Sequence, residues 1–159
     1  MSNTPLIASD QPLTESLRRT LDAVLEIIIP AEPARGMPSA REVAVFRYLQ
    51  DHASDYWRLL ATQLDELDAS AFRQFAQHFA DLSLDERMRV AHVMRNTNPG
   101  FLRRLALETV TCYYQDDRVM VAVGMEPRPP APKGQEAYAG DFSLVEPVIA
   151  RGAIWRRTE

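Results

Sequence analysis

The side chains able to carry covalent or metal chemistry are few in this sequence, and they are scattered. There is one cysteine, Cys112, and three histidines, His52, His78 and His92. A single cysteine excludes an internal disulfide and any multi-cysteine zinc or iron–sulfur site. No histidine has a second within four residues, so the helical zinc pair of the HExxH kind is absent. His78 and His92 can meet across neighbouring helices, but no carboxylate can be placed beside them, and no metal ligand is expected. Cys112 with a distant histidine would mimic a nucleophile–base pair. Its place between Thr111 and Tyr113 on an apolar helical stripe makes it a small buried hydrophobe instead.

Acid–base and phosphate chemistry fare no better. Glu66, Asp68, Asp85 and Glu86 cluster in sequence, but two of them serve helix starts. No carboxylate sits in an apolar setting that would raise its pKa for proton transfer. No GxGxxG or GxxxxGK[ST] loop occurs. No catalytic, cofactor-binding or metal-ligating residue is therefore expected.

What stands out is a run of contact-prone residue types: Tyr113, Tyr114, Gln115, Asp116, Asp117 and Arg118. Tyrosine and arginine are enriched at the centres of protein interfaces. Adjacent tyrosines on a helix point in different directions, so one of them faces outward or toward the chain's own C-terminal segment. Seventeen of the 18 basic residues are arginine, whose planar fork suits carboxylate pairing.

The elements that position these residues are helical. Leu17, Leu21, Val24, Leu25 and Ile28 recur at helical spacing, and Pro30 stops that helix at Ile29. Residues 30–38 read as a linker. Ser39 to Glu42 is a capping box that should open a helix with Val43, Phe46 and Leu49 inward. A third helix carries Trp57, Leu60, Leu64 and Leu67. Asp68 or Ser70 opens a fourth, with Phe72, Phe75, Phe79 and Leu82 as core. Ser83 to Glu86 is a second capping box, and Leu84, Met88, Ala91 and Met94 form the buried stripe of the helix it opens. Asn98-Pro99 starts a sixth helix with Leu102, Leu105, Thr109, Cys112 and Tyr113 inward. A short seventh runs from about Asp117 to Val123 and ends at Gly124. There is no sustained period-two alternation. The fold class is all-α: a small bundle of six or seven short helices.

Of the 11 prolines only Pro99 lies between Pro38 and Pro127. The resulting organisation is a flexible N-terminal arm over 1–12, a helical domain over 13–125 and an extended, Pro-rich C-terminal arm over 126–159. The arm is neutral yet carries Tyr138, Phe142, Val148, Ile149 and Trp155, apolar groups it cannot bury within itself. It must lie on this domain or on another protein. Phe142 and Trp155 are its candidate anchors, and Arg151, Arg156 and Arg157 its candidate carboxylate partners.

The net charge of −4 argues against non-specific nucleic-acid binding. No apolar run approaches a membrane span. Arg18-Arg19 resembles a twin-arginine export signal only superficially, because Asp22 and Glu26 interrupt the stretch that should be uncharged. A cytoplasmic location is expected, unless a partner carries the chain out.

The run from Leu105 through Tyr113-Tyr114-Gln115-Asp116-Asp117-Arg118 to Gly124 and Pro127 resembles the gluconate 2-dehydrogenase subunit 3 family. The opening Leu21 to Ala31, with its Ile29-Pro30-Ala31 break, is similar to that family's first helix. The likeness covers roughly residues 17–130. It implies a small accessory subunit without a redox centre of its own. The partner it implies is a large FAD-dependent subunit of the glucose–methanol–choline (GMC) oxidoreductase type, held in a hetero-oligomer. Such subunits help the large one fold, stay soluble or be exported, often on a twin-arginine signal that is not read in this chain. The contact residues expected on this reading are Tyr113, Tyr114, Asp116, Arg118, Phe142, Arg151, Trp155 and Arg156. The residues alone also admit a helical regulatory or scaffold module unrelated to flavoproteins, or a stand-alone enzyme using Cys112 or His78 with His92.

Overall fold

The computed structural model describes residues 13–128, 134 and 140–152. The chain divides into two compact units, Met1–Pro127 and Arg128–Glu159. The described part of the first unit holds six α-helices joined by short turns: α1 (Glu15–Ile28), α2 (Val45–His52), α3 (Ser54–Phe75), α4 (Leu84–Thr97), α5 (Pro99–Tyr113) and α6 (Asp117–Ala122). No β-strand occurs among the described residues; a lone bridge joins Glu32 and Met37. The all-α reading is correct.

The N-terminal third follows its local signals. Thr14 caps α1 through its hydroxyl, and the helix ends where Pro30 requires. The linker is a closed excursion: Glu32 and Met37 exchange backbone bonds around Gly36, which adopts φ +68°. Ser39 and Ala40 then both donate to the Ile29 carbonyl, bringing the chain back to the end of α1.

Three expectations are corrected. The Ser39–Glu42 capping box forms, but it opens a single 3-10 turn, Ala40–Glu42; Val43 returns to extended geometry before α2 begins. The third and fourth predicted helices are one 22-residue helix, α3. Asp68 does not start a helix. It stays helical and sends its carboxylate forward to the Phe79 N–H, 2.8 Å away, so it caps the 3-10 turn Phe79–Asp81 instead. The last correction concerns apolar stripes. Phe79 is fully buried, but Phe72 is exposed. On α4 the buried residues are Val90 and Met94, whereas Leu84 is 63% and Met88 51% exposed.

The core is built from Leu21, Val24, Leu49, Tyr56, Trp57, Leu60, Leu64, Leu67, Phe101, Leu105 and Tyr113, joined by Val45 and Val119. Each large aliphatic side chain so buried contributes about 1.5–3 kcal/mol by transfer from water. Trp57 lies at its centre with Phe46 edge-on at 5.0 Å. The Tyr56 hydroxyl donates to the Phe101 carbonyl (3.2 Å), tying α3 to the start of α5.

In the second unit, residues 140–152 are not extended throughout. Asp141 accepts from the Ser143 N–H (2.9 Å), and the 3-10 turn Ser143–Val145 runs into α7 (Glu146–Ala150), with Pro147 in the first turn where its missing N–H costs nothing.

Candidate partner interface

The Tyr113–Arg118 corner between α5 and α6 is held from within. Tyr113 ends α5 at 1% exposure, and its hydroxyl donates to the Pro38 carbonyl at 2.7 Å, so the end of α5 is fastened to the excursion after α1. Asp116 caps α6 by accepting from the Arg118 N–H (3.0 Å). The Arg118 guanidinium returns two bonds to the same carboxylate, each 2.9 Å, a bidentate geometry. It also donates to the Glu42 carbonyl at 2.9 Å, again crossing to the segment after α1. These Arg118 bonds hold the Asp116 carboxyl below its ordinary range. Tyr113 and Arg118 thus join α5 and α6 to residues 38–42, and Asp116 orients Arg118.

Tyr114, next in sequence, turns the other way. It is 53% exposed, with its ring edge-on to Tyr113 at 5.5 Å. Leu107 and Val110 precede it on α5 at spacings of seven and four and are likewise exposed. Together they give α5 an outward apolar stripe. In the second unit Phe142 is 71% exposed, and Val145, Val148, Ile149 and Arg151 are also exposed, which gives α7 an uncovered apolar side. Trp155 and Arg156 lie outside the described residues.

The candidate chemical groups are engaged locally. Burial pushes the Cys112 thiol up, with the Asp116 charge adding to the effect; a raised thiol is a poor nucleophile at neutral pH. A cleft of about 460 Å³ opens beside it, lined by Val43, Ala44, Gln115, Asp116, Asp117 and Arg118. His52 stacks on Tyr48 with ring centres 5.0 Å apart, His78 bonds Asp68 at 2.7 Å, and His92 accepts from Arg95 at 3.1 Å. His78 and His92 therefore have different partners. Among the described residues no group of three or more His, Cys, Asp or Glu is placed to hold a metal. Asp22 and Asp65 depart from the expectation for carboxylates: burial pushes both up, opposed at Asp22 by Arg18 and Arg41 and reinforced at Asp65 by the Asp68 charge.

The surface that sequence reasoning missed is on α4. Leu84, Met88 and Ala91 have core periodicity, yet Leu84 and Met88 are exposed and Ala91 is only half-buried. Val90 and Met94 form a second apolar set on the same helix. That doubling was the available signal, because one helix cannot press two faces into one small core.

No helix among the described residues is long and apolar enough to cross a membrane. No curated protein and no solved structure is significantly similar to the chain. One family model, described as gluconate 2-dehydrogenase subunit 3, matches residues 15–125, which take in α1 to α6 and the whole Tyr113–Arg118 corner. With that match extending over well more than half its length, the chain belongs to the gluconate 2-dehydrogenase subunit 3 family of accessory subunits.

Proposed function

We propose that the protein is the non-catalytic small subunit of a sugar, polyol or alcohol oxidoreductase, and that it binds and stabilises a large FAD-dependent subunit of the GMC type. The observation that carries this reading is the family match over α1 to α6. The exposed apolar side chains of the second unit support it. Phe142, Val148 and Ile149 are candidate contacts there, with Tyr114 of α5 added from the first unit. FAD belongs to the partner, and this chain supplies no group to it. Binding only the folded flavoprotein stabilises it by mass action, in proportion to the logarithm of free subunit over Kd. The complex forms in the cytoplasm, and any export follows assembly.

Co-expression tests this directly. With the small subunit present, the flavoprotein is expected to be more soluble, more fully loaded with FAD and co-purified with this chain. Equal solubility, flavin content and activity without it overturn the proposal.

A further inference from the structure

The uncovered stripe of α4 borders a groove. Ile27 of α1, Met88 and Ala91 of α4 and Leu102 of α5 form its apolar lining, His92 and Arg95 its polar edge, and it encloses about 290 Å³. Leu84 extends the stripe by one turn beyond Met88.

The charge around it is one-sided. From Arg87 to Leu107 the sequence carries five arginines and no acidic residue, although the remainder of the chain has nine more acidic than basic residues. Arg87 is turned inward to Glu26 and the Ala80 carbonyl, and Arg104 lies over the Tyr56 ring beside Glu108. Glu26, the acidic residue next to Ile27, is shared between Arg41 and Arg87. Arg95, on the groove's edge, and Arg103, which follows Leu102 on α5 but lines a separate cleft with Leu107 and Val110, have no acidic partner among the described residues and are exposed, so their charge is open to an incoming group.

We infer that the outer face of the α4–α5 hairpin docks a negatively charged amphipathic segment of the large subunit, its apolar side chains seated in the Ile27–Met88–Ala91–Leu102 groove and its carboxylates on Arg95 and Arg103. The inference rests on the proposed association with that subunit. Arginine pairs carboxylates bidentately, and an apolar floor with a cationic rim selects an acidic amphipathic helix over a neutral or basic one. A protein segment fits better than an anionic bilayer. The apolar groups line a concavity that receives single side chains, whereas a bilayer takes up a broad convex apolar face.

The test measures binding of the intact chain to the large FAD-dependent subunit, at low and at high salt, for wild type and two variants. Arg95→Glu combined with Arg103→Glu is expected to weaken binding by roughly tenfold or more at low salt and to flatten its salt dependence. Leu84→Ser combined with Met88→Ser is expected to weaken it without changing the salt dependence. Circular dichroism and the denaturation midpoint of each variant confirm that the surface changes leave the fold intact. Wild-type binding with both variants within about twofold of it overturns the inference and leaves the proposed function standing. No binding by wild type overturns both. Binding of wild type, but not of the arginine variant, to phosphatidylglycerol vesicles, with affinity for the large subunit unchanged, assigns the face to a lipid surface and also overturns the inference.

Discussion

The α5–α6 corner and the outer face of α4 use their residues in opposite senses. At the corner, Tyr113 and Arg118, residue types that favour interfaces, bond distant backbone of their own domain, at Pro38 and Glu42, and Asp116 is taken up by Arg118. On α4, leucine and methionine at core spacing are left in water. Residue type sets what a side chain can offer. Which neighbour lies across from it sets whether that offer is taken up inside the molecule. The corner has the excursion after α1 to meet it, with two free carbonyls. The α4 stripe has no element over it among the described residues, because Val90 and Met94 already face the packed side.

The sharpest way to break this comparison is to truncate the corner. Tyr113→Ala removes a fully buried ring and a bond to a carbonyl, and it should cost about 3–5 kcal/mol in urea denaturation. Tyr113→Phe should cost about 1 kcal/mol, the worth of the hydroxyl bond alone. If Tyr113→Ala costs less than about 1 kcal/mol and instead abolishes partner binding, the corner is an interface and the contrast collapses.

Asp68 extends the inward-drawn class to the α3–α4 connection. Its carboxylate holds the Phe79 N–H, and Phe79 is fully buried. Asp68→Ala should therefore cost about 1–2 kcal/mol, as for loss of a helix cap. Hydrogen exchange should speed up first at residues 79–81, since the turn they form loses its anchor. Unchanged protection there would mean that packing of the Phe79 ring alone holds the turn.

These cases also show what the sequence could reveal. Most signals completed within four residues were legible: the Pro30 stop, the Ser83 box, the Asn98-Pro99 start and the Gly124 end all stand where their chemistry puts them, whereas the Ser39 box forms but opens only a 3-10 turn. Signals completed at a distance misled. Asp68 looks like a helix start because carboxylates cap helices locally, but its acceptor capacity goes to a donor eleven residues ahead. Nothing else between Leu67 and Phe72 breaks a helix, so α3 continues through. The phase of α4 was ambiguous because both of its apolar sets have helical spacing, and the choice between them is made by α3 and α5. For the same reason the corner's residue types were readable from sequence and their internal bonds were not.

Ala76 supplies a stabilising test at the same connection. It ends α3 with φ +54°, the left-handed conformation that glycine adopts without strain. Ala76→Gly should raise stability by about 0.5–1 kcal/mol, read as a higher urea midpoint at unchanged slope. A loss would mean that the unfolded-state entropy of glycine outweighs the relieved strain. The α4 stripe should respond least in stability: Leu84→Ser with Met88→Ser is expected within about 0.5 kcal/mol of wild type. A loss of several kcal/mol would place these side chains in the core and remove the other half of the comparison.

The smallest effect separates charge from capping at Asp68. Its second carboxylate oxygen lies 2.7 Å from Nδ1 of His78, and this hydrogen bond, followed by the Asp68 charge, raises the imidazole pKa; Asp81 adds to the rise, and Arg19 opposes it. Because the folded value is raised, the stabilisation is fully present below the free imidazole's 6.5 and is lost as pH rises through the folded value. The denaturation midpoint should therefore fall as pH rises from below 6.5 through the raised value, and fall less at high salt, since His78 is exposed and screened. In Asp68→Asn the amide oxygen can still cap the Phe79 N–H, but the charge opposite the imidazole is gone. That variant should keep most of the stability lost in Asp68→Ala and show a flattened pH dependence. An undiminished slope in Asp68→Asn would assign the dependence to another group and leave Asp68 as a cap alone.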